Sequence, residues 1–96
     1  MTNYQRGYEI ERKIVNEHRK MGCVAFRSAG SHSPIDVVYV DKFGVHLLQV
    51  KRVKKYYHGM FKKEIKELEA IRCPTNCFKE LWVWEDNYGW VSLKMI

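Results

Sequence analysis

Two runs rich in aliphatic and β-branched residues, 35–40 and 45–50, flank the turn Asp41-Lys42-Phe43-Gly44. A Gly-containing turn between such runs reads as an antiparallel hairpin. Centring the turn between Lys42 and Phe43 sets Asp36 opposite Gln49, and the two-residue alternation of a strand puts Lys51 on the same face as a diagonal neighbour. Directly opposed side chains lie about 4.5–5.5 Å apart at Cβ. Two oxygen-bearing groups and an ammonium therefore converge at one end of the hairpin, the set that metal-assisted phosphodiester chemistry uses.

Other elements fall around this hairpin. Residues 4–21 predict a helix whose inward stripe is Ile10, Ile14, Val15 and Met21, ended by Gly22. Residues 23–27 predict a short strand. After the hairpin a basic stretch over 51–59 leads into a second helix at 61–72, with Phe61, Ile65, Leu68 and Ile71 inward and Cys73-Pro74 as its stop. Residues 81–85 and 90–93 predict a closing hairpin around Asp86-Asn87-Tyr88-Gly89. The order α-β-β-β-α-β-β implies an α/β fold, a mixed central sheet flanked by helices.

At 96 residues the chain is expected to be a single domain over 1–96, so any function sits on the core fold itself. A net charge of +6 points to a polyanionic partner, because Lys and Arg that neutralise phosphates release counterions. No apolar run approaches the roughly 18 residues of a membrane span, and the N-terminus has no secretory pattern, so a cytoplasmic protein without membrane contact is expected. Cys23, Cys73 and Cys77 are an odd number and read as free thiols; Cys73 and Cys77 supply at most half of a zinc site.

Glu9 and Glu11 differ in phase. Glu9 points away from the apolar stripe and is placed to pair with Lys13, whereas Glu11 falls within the stripe. A carboxylate there costs several kcal/mol, of the order of a buried charge, unless a cation meets it. A metal ion is the economical partner; a nearby Arg or Lys is the alternative. Magnesium takes one or two protein carboxylates and keeps its other positions for water and phosphate. Glu11, Asp36 and the Gln49 amide oxygen suit that role, with Lys51 placed to stabilise charge developing on the phosphate. His18, on the same helix face, reads as a packed, hydrogen-bonded core histidine.

Arg6-Gly7-x-x-x-Glu11-Arg12, Phe26-Arg27-Ser28-Ala29-Gly30-Ser31, Asp36 and Gln49-Val50-Lys51 together resemble the ordered motifs of the archaeal Holliday junction resolvases, a branch of the PD-(D/E)xK nuclease superfamily with a restriction-endonuclease-like fold. The resemblance runs from about Tyr4 to Lys55. It implies a homodimer that acts on branched double-stranded DNA in recombination and repair, making paired nicks that leave 5′-phosphates, with Mg²⁺ as cofactor and Mn²⁺ able to substitute. It also implies that Glu11, Asp36, Gln49 and the Val50 backbone carbonyl are metal ligands and that Lys51 is the catalytic lysine. Arg12, Arg27 and Ser31 fall near the scissile phosphate in this pattern. The family usually has Glu at the position of Gln49, and Mrr-like relatives also carry Q-x-K. A neutral amide there should lower metal affinity.

The wider DNA-binding candidates are Arg6, Ser28, Arg52, Lys54, Lys55, Tyr56, Lys62 and Lys63. They form a basic path suited to shape rather than base-sequence recognition. Tyr56 or Tyr57 could stack on an unpaired base or simply pack on the sheet. The loop from Arg27 to Ser33 has the small polar residues to wrap a phosphate. Two alternatives remain open: another nuclease of the superfamily acting on flaps, nicks or duplex ends, and a DNA-binding relative whose catalysis is weakened by Gln49. Phe78, Trp82, Trp84 and Trp90 are more aromatic surface than a small core encloses, which points to a subunit contact.

Overall fold

Thr2 and Gln5 form a capping box, Gln5 N–H to Thr2 Oγ1 at 3.1 Å and Thr2 N–H to Gln5 Oε1 at 2.8 Å, that satisfies two otherwise orphaned donors at the start of the first helix. This helix, α1, spans Asn3–Lys20 in the computed structural model, which describes residues 2–28 and 33–96. His18, Arg19 and Lys20 complement the helix dipole in its last turn, and Gly22, at φ 87°, turns the chain away. Then follow β1 (Val24–Arg27), β2 (Val37–Asp41), β3 (Gly44–Val53), α2 (Lys62–Glu69), β4 (Cys77–Glu85) and β5 (Gly89–Met95). The five strands form one sheet in the order β1-β2-β3-β4-β5, antiparallel except for the parallel pair β3 and β4. This is the mixed sheet and element order expected.

The two faces of the sheet carry separate cores. Ile10, Ile14 and Val15 of α1 pack on Ala25, Val37, Tyr39, Leu48 and Val50. On the opposite face Leu68 of α2, with no exposed surface, packs with Ile35, Leu81 and Val83. His18 is packed as expected: its Nδ1 lies 2.8 Å from the Ile14 carbonyl and its ring 3.9 Å from that of Tyr39. Trp82, Trp84 and Trp90 pack against the α1-side core edge to face, with centroids 5.3 and 5.2 Å apart. Leu93 and Met95 of β5 remain largely exposed.

Several boundaries move for physical reasons. β3 continues through Lys51, Arg52 and Val53 because β4 offers Val83, Trp84 and Glu85 as parallel partners. α2 stops at Glu69, three residues short of expectation; the Lys79 ammonium binds the Glu69 and Ile71 carbonyls at 3.2 and 2.9 Å and caps that end. Met21 is not in the core but exposed, one residue past the helix. Cys73 and Cys77 are not free thiols: the turn after α2 brings their Cα atoms to 5.5 Å, within bridging range, and they form a disulfide, leaving Cys23 free. Among the described residues no helix is long and apolar enough to cross a membrane.

Candidate active site

The register of β2 on β3 runs as far as Val37 with Leu48, and Asp36 precedes that pair at the open end of the hairpin. Asp36 is tied in from three sides. Its N–H donates to the Leu48 carbonyl at 2.7 Å, its own carbonyl accepts from the Ser28 N–H at 3.0 Å, and its Oδ2 accepts from the Val50 N–H at 2.8 Å. The Ser28 hydroxyl donates to the Ile35 carbonyl, so this side chain also fixes the backbone leading into Asp36. Val37, Tyr39, Leu48 and Val50 belong to the α1-side core, so by alternation Gln49 and Lys51 of β3 turn to the α2 side, whereas Asp36, just before β2, lies between Ile35 of the α2-side core and Val37 of the α1-side core. Lys51 Nζ lies 3.4 Å from Glu64 Oε2 and about as far as a cation–π contact reaches, 6.0 Å, from the Phe61 ring.

Glu11 comes from α1. It meets a cation, as a carboxylate in that position must: Arg27 Nε donates to its Oε1 at 2.9 Å. The Arg27 guanidinium also stacks 4.1 Å from the centre of the Tyr8 ring. Burial nevertheless raises the Glu11 pKa above the usual carboxylate value; the Arg27 hydrogen bond opposes the rise and the negative charge of Asp36 adds to it. Asp36 is raised as well, chiefly by burial, against the pull of the Val50 amide and the charges of Lys51 and Arg27. Two partly dehydrated carboxylates that repel each other favour a cation near them.

The remaining candidate is Gln49 of β3. It is 7% exposed, and its Oε1 is buried with no hydrogen-bond donor among the described residues. An orphaned amide oxygen costs about 1–3 kcal/mol, a deficit that a metal ion or a water on that ion removes. Among the described residues no three His, Cys, Asp or Glu side chains gather as a metal site. Glu11, Asp36 and Gln49 offer the hard oxygen donors that magnesium or manganese takes, and they fit an ion that keeps open positions for phosphate and water.

The proposed DNA contacts divide into two groups. Arg12, Lys54, Lys55, Lys62 and Lys63 are exposed. Arg6 and Arg52 are instead clamped on Asp86 in the β4–β5 turn, Arg52 Nε at 2.7 Å, and Arg52 also reaches Glu9 Oε2 at 3.1 Å and the Arg6 carbonyl at 3.1 Å. Glu9 therefore pairs with Arg52, not with Lys13, which meets Glu17 at 3.0 Å. With Asn3, Gly7, Val50, Lys51 and Lys54, the two arginines line a groove of about 430 Å³ along the end of the sheet. Tyr56 packs against the α2-side core and its N–H donates to Glu85, whereas Tyr57 is exposed. Ser31 and most of the loop expected to wrap a phosphate lie outside the described residues.

Glu64 and Asp86 carry no sequence signal of their own; each meets its cation only through tertiary packing. No curated protein matches the chain. Among solved structures it is similar to the Holliday junction resolvase Hjc of the archaeal hyperthermophile Archaeoglobus fulgidus, with a TM-score of 0.68 at 22% identity over 88% of this chain and 69% of that one. That likeness bears on the fold. The family model for archaeal Holliday junction resolvase (Hjc) matches residues 2–72, which span α1, the hairpin, α2 and all four members of the Glu11, Asp36, Gln49 and Lys51 set. The chain belongs to the archaeal Holliday junction resolvase family.

Proposed function

We propose that this family nuclease is a magnesium-dependent endodeoxyribonuclease, also active with manganese, that resolves four-way junctions by paired nicks leaving 5′-phosphates. The observation that carries the reading is the buried, unpartnered Gln49 Oε1, together with Glu11 and Asp36, two carboxylates that act on each other and whose pKa values burial raises. Glu11, Asp36, Gln49 and the Val50 carbonyl would hold the ion. Once bound, the cation supplies Lewis-acid charge at the phosphate and activates water. Val50 holds the Asp36 carboxylate by its N–H, and Arg27 holds Glu11. Lys51, whose charge lowers the Asp36 pKa, donates hydrogen bonds to oxygens that gain charge in the transition state.

Exposed Arg12, Lys54, Lys55, Lys62 and Lys63 supply phosphate contacts that position a branched duplex without reading its bases. Arg6 and Arg52, together with Arg27 and Ser28, belong to the same surface, the first two sharing their charge with Asp86. Junction resolution needs two incisions, and one 96-residue chain has room for one site, so the acting unit is a two-fold homodimer. Sedimentation at micromolar concentration is expected to report roughly 23 kDa, twice the 11.5 kDa chain.

The test is cutting of a synthetic four-way junction compared with flap, nicked, bubble and linear duplexes at equal concentration in magnesium. Preferential paired nicking of the junction supports the proposal. Preference for flaps, nicks or ends supports a different nuclease of the superfamily, and binding without cutting supports a relative disabled by Gln49.

A further inference from the structure

Lys51 lies two residues before the end of β3, and the chain then turns through Gly59, at φ 91°, and Phe61, at φ 66°, to bring α2 back over the sheet. α2 is held there by Leu68, which is fully buried, and it delivers Glu64 in its first turn. The Glu64 side chain is 21% exposed and that of Lys51 33%, with Nζ and Oε2 at 3.4 Å. Among the described residues Lys51 is the one ionic partner of this half-buried carboxylate. The Lys51 charge also acts on the Asp36 carboxylate. Lys51 thus feels two acids, Glu64 of α2 by direct contact and Asp36 through its charge.

We propose that Glu64 is a positioning residue for Lys51 in strand cleavage, a role that rests on the nuclease reading above. A lysine ammonium is a point charge on a flexible four-carbon stem with three rotatable donors, so its aim is not set by its own shape. A carboxylate that takes one donor restricts the stem before substrate arrives and leaves two donors for the phosphate or the attacking water. Holding a group in its reactive geometry beforehand removes an ordering cost from the reaction step. The Phe61 ring lies 6.0 Å from the same ammonium. Glu64 does not touch substrate in this scheme; it acts through Lys51.

The experiment is single-turnover cleavage of a four-way junction by wild type, Glu64→Gln, Glu64→Asp, Lys51→Ala and the Lys51→Ala/Glu64→Gln pair, with junction affinity measured separately. Glu64→Gln is expected to slow cleavage roughly tenfold while affinity changes less than about twofold, with Glu64→Asp recovering part of the rate. In the Lys51→Ala background Glu64→Gln is expected to cost nothing more. An unchanged or faster rate for Glu64→Gln, or an equal further loss without Lys51, overturns the proposal. A second readout is independent of cleavage: the ¹⁵N-detected ammonium resonance of Lys51, assigned by its loss in Lys51→Arg, should be sharp in wild type and broadened beyond detection in Glu64→Gln. A resonance unchanged in Glu64→Gln also overturns it. A wild-type protein that cuts no branched DNA while this resonance still depends on Glu64 overturns the nuclease reading instead.

Discussion

Val50 and Asp36 are joined by a 2.8 Å hydrogen bond from the Val50 amide to Oδ2, so the first carboxylate of the site is anchored to the strand that carries Gln49 and Lys51 on either side of that amide. The bond sets the carboxylate relative to the amide oxygen and the ammonium without using either. It also leaves Asp36 raised by burial, since one amide does not offset the lost water.

Gln49→Glu places a third carboxylate beside Glu11 and Asp36. Without metal it is expected to lower the thermal midpoint, because the three charges repel in a partly dehydrated site. With magnesium the midpoint should rise by more than it does for wild type, and the magnesium concentration for half-maximal cleavage should fall several-fold. Thermal melts against magnesium and a metal titration of cleavage measure both effects. An unchanged metal requirement would remove Gln49 from the ligand set.

Stability should depend on pH through His46, which is buried between the Tyr39 and Phe78 rings and bridges two acids. Its Nδ1 lies 2.5 Å from Glu80 Oε2, its Nε2 lies 2.9 Å from Asp41 Oδ1, and Glu80 Oε1 accepts from the Trp82 indole at 3.0 Å. Burial alone would lower the His46 pKa, but the hydrogen bonds to Glu80 and Asp41 outweigh it and raise it above 6.5. A raised folded pKa means that the contribution is complete below the unfolded value and is lost as pH rises through the folded one. The wild-type melting temperature is therefore expected to fall from about pH 6 to about pH 9 more steeply than that of His46→Gln. Burial would raise Asp41, yet the His46 hydrogen bond holds it below its ordinary 3.8, so its share is lost only as pH falls through that lowered value.

Gly44→Ala should be among the most damaging single changes. Gly44 sits at φ 143°, and a Cβ there would stand 1.9 Å from the Asn76 carbonyl oxygen, the acceptor of the Val45 N–H at 2.9 Å. Backbone must move, and with it the start of the β3–β4 pairing. Urea unfolding is expected to show a loss of about 3 kcal/mol or more, in the upper range for point mutants. Gly7→Ala, where a Cβ meets nothing within 4 Å, should cost far less.

The pairing of β2 with β3 was legible because a hairpin register is set locally, by its turn and by strand alternation, though it holds only as far as Val37 and Leu48, one residue short of Asp36. The inward lean of Glu11 was legible from helix phase, but its partner was not. Arg27 reaches it from β1, and no spacing rule connects the two. The same holds for Glu9, where the i+4 rule favoured Lys13 and tertiary packing supplied Arg52. β3 ran past its apolar core into charged residues because its parallel partner is remote in the chain. The Cys73–Cys77 bridge was hidden by counting, since an odd number of cysteines still allows one pair.

The most direct measurement compares magnesium-dependent cleavage of a four-way junction by wild type, Asp36→Asn, Glu11→Gln and Glu9→Gln, with junction binding followed in parallel. Asp36→Asn and Glu11→Gln are expected to bind the junction at least as well as wild type, because each removes a negative charge facing a polyanion, and to lose cleavage by orders of magnitude. Glu9→Gln, whose side chain is half exposed and whose partner is Arg52, should cut at close to the wild-type rate. Cleavage by Asp36→Asn at more than a tenth of the wild-type rate, or loss of cleavage in Glu9→Gln but not in Glu11→Gln, would contradict the assignment of the site.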